Sequence, residues 1–367
     1  MTSERVSLLG SVSYAWLHEH GGLRFDEPFF LDPLRRIEQE RAAADLVARR
    51  FPDDPIYNFE ACLVQAEGRR RPVVLIGGIQ PNLILGAALG ARFAFYGDKD
   101  PDITSAPLAE LTSVEALRRV HWEHIWPIDL LLKQVRKARV SLSDRYVVVP
   151  PFFWDTTGRA TTHGILTTAQ KLLGERVFID ILDRPGFAHD FFAWIADAYA
   201  CLIRLFADAA DMAITGLHTG DCSACMLGPD AYAEFVVPAT NRLIAQVLGP
   251  TPRGVRLHSC GLSDHLLDVF AEIQGLTCLN VGSNTDITQA RRRFGDMRID
   301  LIPDTQLLTA RAPADVDAWV RRTVEANGPG RLEFHFHLDA GQPEANCLQI
   351  AHTLRDLGIA CRRERVY

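Results

Sequence analysis

GVRLHSCGLSDHLLDVFAEIQGLTCLNVGS, residues 254–283, holds one complete folding unit. An apolar run from Val255 stops at His258, Ser259 and Cys260. DHLLDVFAEIQ then sets apolar residues three and four apart, which is the pattern of an amphipathic helix. A second β-rich run, LTCLNVGS (Leu276–Ser283), follows. The same alternation recurs on both sides. RPVVLIGGI (Arg71–Ile79), RYVVVPPFF (Arg145–Phe153) and MAITGLHTGD (Met212–Asp221) read as earlier strands. MRIDLIPD (Met297–Asp304) and RLEFHFHLD (Arg331–Asp339) read as later ones, and IACRRERVY (Ile359–Tyr367) is a candidate eighth. The helix GPDAYAEFVVPATNRLIAQVL opens on Pro229 and Asp230, a helix-start signal. APADVDAWVRRTVEANG closes at Asn327-Gly328, a good C-terminal cap.

Seven or eight such units in 367 residues predict an α/β fold, a (β/α)8 TIM-type barrel, ahead of an open doubly wound sheet. DPLRRIEQERAAADLVARRF makes the first seventy residues look mainly helical. Residues 1–70 are therefore expected as an N-terminal helical extension packed on a barrel of residues 71–367, with no separate second domain.

Composition narrows the function. Apolar residues make 47% and charged residues 23%, enough apolar material for a sizeable core. A net charge of −7 argues against nucleic acid or an anionic membrane surface as the main partner. No window reaches the roughly 18 uninterrupted apolar residues of a membrane span. The start MTSERVSLLGSVSYAWLHEH lacks the pattern of a secretion signal, so a cytoplasmic location is expected. Eight scattered cysteines without framework spacing read as free, buried or metal-bound thiols.

In a barrel of this kind the chemistry sits at the C-terminal ends of the strands. The residues there are Trp154 and Asp155, then His218 and Asp221, then His258 and Cys260, then Ser283 and Asn284, then Asp304. His335 and His337 share one face of the last clear strand by period-two alternation. His258 and Cys260 stand two apart at a strand end, so both can point the same way. Zinc takes imidazole nitrogen and thiolate readily, and catalytic zinc keeps three protein ligands and one open position. The pair lacks a third ligand; His337 is the first choice, with His335 and Cys347 as competitors. Cys222 and Cys225 form a Cys-X-X-Cys, but no second pair exists to complete a zinc ribbon. They read as small free cysteines on a loop packed under a helix. LIGGIQPN lacks the spacing of a nucleotide-binding fingerprint.

The order of motifs resembles the uroporphyrinogen decarboxylase superfamily. THGILTTAQKLLGERVFIDILDRPGFAHDFF is similar to its "GPFTLA" segment, and GLHTGDCSACMLGPDAYAEFVVPATNRLI to the strand, acidic loop and helix that follow. TDITQARRRFGDMRIDLIPDTQLL and GQPEANCLQIAHTLRDLG resemble the closing motifs. LHSCG falls where the methyltransferase branch carries His-X-Cys-Gly. The decarboxylases' Arg-rich N-terminal motif is absent.

The resemblance implies a zinc-dependent methyltransferase, with Zn2+ on His258, Cys260 and a third ligand for which His337 fits best. A methyl group would pass from a corrinoid protein, or another small methyl donor, to a zinc-bound thiol. Asp221 and Asp304 would orient the substrate or handle protons, and Trp154, Asp155 and His218 would line its pocket. With His337 as third ligand only one thiolate remains, which makes the metal a better Lewis acid and a poorer activator of thiols. A metal-assisted decarboxylase or lyase on a small carboxylate is therefore the alternative. A non-catalytic barrel with a structural metal is a third.

Overall fold

Runs of Val, Ile, Leu and Phe set the strands, because their side chains pack well on a pleated, half-buried surface. The computed structural model describes residues 5–66, 71–361 and 363. In chain order the strands are β1 (Val6–Val12), β2 (Ile56–Tyr57), β3 (Val73–Leu75), β4 (Phe93–Ala94), β5 (Asp102–Ile103) and β6 (Val147–Val149). Then come β7 (Arg159–His163), β8 (Gly216–Gly220), β9 (Val255–Ser259), β10 (Leu276–Gly282), β11 (Arg298–Ile302) and β12 (Leu332–Leu338). Eight of them form one sheet in the order β2-β1-β12-β11-β10-β9-β8-β7, parallel at every pairing. A separate parallel pair joins β3 to β6, and β4 with β5 makes a small antiparallel hairpin. Helices return the chain between the strands, among them Pro185–Ala210, Val237–Leu248, Ile287–Phe294 and Pro313–Asn327. This is the (β/α)8 architecture that the alternation predicts. Among the described residues no helix is long and apolar enough to cross a membrane.

Two expectations change. The first seventy residues do carry helices, but they also supply β1, which lies inside the sheet between β12 and β2. VSLLGSV alternates too weakly to announce itself, since Gly and Ser break the apolar run. The segment is thus partly barrel wall, and not only an extension packed on it. Of the candidate eighth strand, Ile359–Cys361 and Arg363 lie in no strand, and the rest falls outside the described residues.

Alternation along the strands separates two environments. Leu217, Val255, Leu257, Leu279, Val281, Ile299, Leu301, Phe334 and Phe336 are buried in the apolar layer between sheet and helices. Each such side chain contributes about 1.5–3 kcal/mol by leaving water. The opposite set meets inside the barrel and is polar. Arg256 pairs with Asp300 at 2.8 Å, Arg298 with Asp300 and Glu333 at 2.6 Å each, and Ser7 donates to Glu333 at 3.1 Å. A barrel interior is more often filled with Val, Ile and Leu. Here two cations and two carboxylates neutralise one another, which is what makes the buried Asp300 carboxylate tolerable.

Candidate metal centre

β8 and β9 are neighbours, with Gly220 opposite His258. The residues just past the end of β8 therefore arrive beside the His-X-Cys of β9. The short 3-10 turn Cys222–Met226 begins there. Donor atoms of Cys222, His258 and Cys260 lie within 4.8 Å of one another. Among the described residues no other His, Cys, Asp or Glu group is gathered this way. Cys260 is exposed, while Cys222 and His258 are half-buried, so the cluster opens toward solvent.

The third donor is thus Cys222, which sequence reasoning set aside as a packing residue. His337 is not in the cluster. Its Nδ1 is in contact with the Ser11 hydroxyl on β1, because β12 pairs with β1 and Ser11 stands opposite His337. Neither competitor joins either. His335 packs against His337 with ring centroids 5.4 Å apart, and Cys347 is buried in the helix Glu344–Asp356. Cys225 stays outside as well, its Sγ–H donating to the Cys222 carbonyl at 3.5 Å. The signal for Cys222 was available in principle: successive strands of a barrel are adjacent, so strand-end residues of β8 and β9 must meet.

The histidine is prepared for a metal. The His258 Nδ1–H donates to Asn280 Oδ1 at 2.7 Å. The Asn280 amide is itself oriented, since its Nδ2 donates to the Asp300 carbonyl at 2.9 Å. That leaves the lone pair of His258 on Nε2, the arrangement by which outer partners orient metal-binding imidazoles. Contact with the Cys222 thiol, then with the His258 ring, holds the Cys260 thiol far below its ordinary range, at about 4. Cys260 and burial push the Cys222 thiol up in turn. A cation bound there would remove that competition by favouring both thiolates. Gly261 makes the approach possible: a Cβ on it would lie 2.5 Å from Cys225 Sγ and 2.8 Å from Cys225 Cβ.

The two aspartates expected to be catalytic have other work. Asp221 is buried, accepts from Thr167 N at 2.9 Å and Thr167 Oγ1 at 2.8 Å, and takes the Tyr232 hydroxyl at 3.0 Å. Its backbone N–H donates to the His258 carbonyl at 2.8 Å. The backbone bond ties the Cys222 turn to β9, and the carboxylate ties it to Thr167 and Tyr232, so Asp221 positions the turn that carries Cys222. Asp304 is the N-cap of the helix Thr305–Ala310, accepting from Gln306 N at 2.8 Å. Asp155 staples its own turn through Thr157 and Arg159. Trp154 meets the His163 ring edge-on, with centroids 6.4 Å apart. His218 lies near the donors, its ring centroid 6.4 Å from that of His258. Ser283 and Asn284 turn the chain beyond β10 and add no donor to the cluster. Asn280 and His163 are the residues sequence reasoning missed near the centre; a strand-interior Asn or a lone His carries no motif.

The sequence profile of the family described as uroporphyrinogen decarboxylase (URO-D) matches residues 81–336. The chain belongs to this family of enzymes. No curated protein matches the sequence significantly. Among solved structures, a methyltransferase from Methanosarcina mazei is similar at a TM-score of 0.61 and 14% identity, over 97% of this chain and 95% of that one. A B12-independent methionine synthase from Shewanella sp. W3-18-1 aligns at a TM-score of 0.43 and 11% identity, over 98% of each chain. A putative vitamin-B12 independent methionine synthase from Listeria monocytogenes aligns at 0.38 and 15%, over 61% of this chain and 67% of that one. The first likeness supports the fold.

Proposed function

We propose that this protein is a zinc-dependent methyltransferase whose methyl acceptor is a thiol. The observation that carries the reading is the convergence of Cys222, His258 and Cys260, with the His258 lone pair aimed by Asn280. Two thiolates and one imidazole are a good donor set for zinc, and three donors leave the open position of a catalytic site. A fourth protein ligand, as a structural zinc requires, is absent from the cluster among the described residues.

The exchange of His337 for Cys222 also bears on the chemistry. Two protein thiolates cancel the charge of a divalent ion and make it a weaker Lewis acid. What the ion supplies is a lowered pKa for a thiol in the open position, whose sulfur stays electron-rich. This favours thiol activation over metal-assisted decarboxylation. In the transfer, the acceptor sulfur forms a bond to the methyl carbon while the donor's bond to that carbon breaks. The donor leaves with the electron pair, and the acceptor's thiol proton passes to solvent. The methyl donor is a corrinoid protein or a small methyl compound. Asp221 and Asn280 hold the donors in place.

Metal content tests the reading. Protein purified without chelator or affinity histidines is expected to hold near one zinc per chain. Cys222→Ser, His258→Ala and Cys260→Ser should lose it, and His337→Ala should keep it. Retention in Cys222→Ser with loss in His337→Ala would refute the donor set, and no metal in any form would refute the mechanism.

A further inference from the structure

Two histidines that the metal centre does not use face the same part of the barrel. His218 stands on β8 opposite Arg256 of β9. Arg256 Nη1 donates to His218 Nδ1 across 3.0 Å. A guanidinium only donates, so Nδ1 is the bare nitrogen and Nε2 carries the ring proton. Arg256 cannot swing away, because its Nε is held by Asp300 Oδ2 at 2.8 Å. Burial, and then the Arg256 charge, hold the His218 pKa well below the ordinary imidazole value, which keeps the ring neutral.

The Nε2–H of His218 reaches a space left by a missing side chain. A Cβ on Gly220 would lie 4.0 Å from His218 Nε2 and 3.6 Å from His258 Cδ2, and would meet nothing nearer. Nε2 has no hydrogen-bond partner among the described residues. Across Gly220 in register stands His163, with His258 on the other side. His163 Nδ1 is buried and also lacks a partner. A bare buried acceptor is tolerated better than a bare buried N–H, so the His163 proton too belongs on Nε2. Burial first, then the neighbouring His258 and Lys171, lower its pKa to about 3. Gly220 thus lies in register between His163 and the metal ligand His258, with His218 Nε2 facing it from its own strand.

We propose that the space over Gly220 binds a carboxylate or carbonyl oxygen of the substrate through the Nε2–H of His218, so that the acceptor is an oxygen-bearing thiol and not a plain alkyl thiol. The thiol half of this statement rests on the function proposed above; the oxygen site does not. Arg256 and Asp300 are positioning residues, which fix the tautomer of His218 without touching the ligand.

Calorimetric titration of the zinc-loaded protein separates the two halves. The probes are mercaptopropionate, mercaptopropionamide, propanethiol and propionate. The oxygen-bearing thiols should bind at least about tenfold tighter than propanethiol, since one well-placed hydrogen bond to a desolvated site is worth that factor. Preference for both shows that a neutral carbonyl suffices; preference for mercaptopropionate alone shows that the oxygen must be charged; either supports the site. Gly220→Ala meets only ordinary contacts, so it should fold, keep its zinc and lose the preference. His218→Phe should lose it as well, and His218→Gln, which retains a donor, should regain part of it. Equal binding of the three thiols, or a preference that survives Gly220→Ala, overturns the proposal. Should no thiol bind, the thiol reading falls by itself. Propionate then decides the oxygen site: binding lost in Gly220→Ala supports it, and no binding overturns it.

Discussion

Replacing Asn280 tests whether the metal site is built from outside its own ligands. Asn280 is 4% exposed and makes two hydrogen bonds that matter. It accepts from His258 Nδ1 at 2.7 Å and donates to the Asp300 carbonyl at 2.9 Å. In Asn280→Leu the His258 ring loses the acceptor that keeps its proton on Nδ1, and with it the preset direction of Nε2. Loss of such an outer partner weakens metal binding about 10–100-fold, or about 1.4–2.7 kcal/mol. The Asp300 carbonyl is left without its donor as well, which adds about 1–3 kcal/mol of lost stability. Asn280→Asp separates the two effects. It keeps an acceptor for His258, so zinc affinity should stay within a few-fold, yet it places a carboxylate against a carbonyl and should still be destabilised. Competition with a chromophoric chelator reads the affinity, and urea unfolding reads the stability. If Asn280→Leu binds zinc as tightly as the parent, the orientation argument is wrong, and His258 either is not a ligand or binds through its other nitrogen.

Further outcomes follow from the same geometry. Gly261→Ala would set a methyl 2.5 Å from Cys225 Sγ, so the turn carrying Cys222 must move; overpacking of this kind costs about 1–3 kcal/mol, and both Tm and zinc content should fall, whereas an unchanged zinc content would show that Cys222 is not placed by that contact. The Asp300 carboxyl is pushed up by burial, but Arg256 and Arg298 prevail and hold it at about 2, below its ordinary 3.8. The unfolded chain therefore takes up that proton first, and the stabilisation present above the unfolded value is lost as pH falls from 3.8 toward 2, by on the order of 2 kcal/mol. Urea unfolding across that range should show the loss in the parent and a flatter profile in Asp300→Asn; parallel profiles would contradict the ion pairing inside the barrel.

The features legible along the chain are those governed by local rules. Periodicity separates strands such as Val255–Ser259 from helices such as Pro313–Asn327, because side-chain direction repeats every two residues in one and every 3.6 in the other. The number of such units implies the barrel, and the barrel places His258 and Cys260 at its mouth. Which distant residues meet them depends on how the strands are ordered in the sheet. Cys222 joins the site because β8 lies beside β9, and His337 misses it because β12 lies beside β1, where Ser11 engages it. Asp221 and Asp304 look alike in the sequence, each an acid after a strand. One is absorbed by Thr167 and Tyr232 and the other by a helix N-terminus. A carboxylate takes whichever donors the packing brings within about 3 Å of it, and no spacing along the chain encodes that choice.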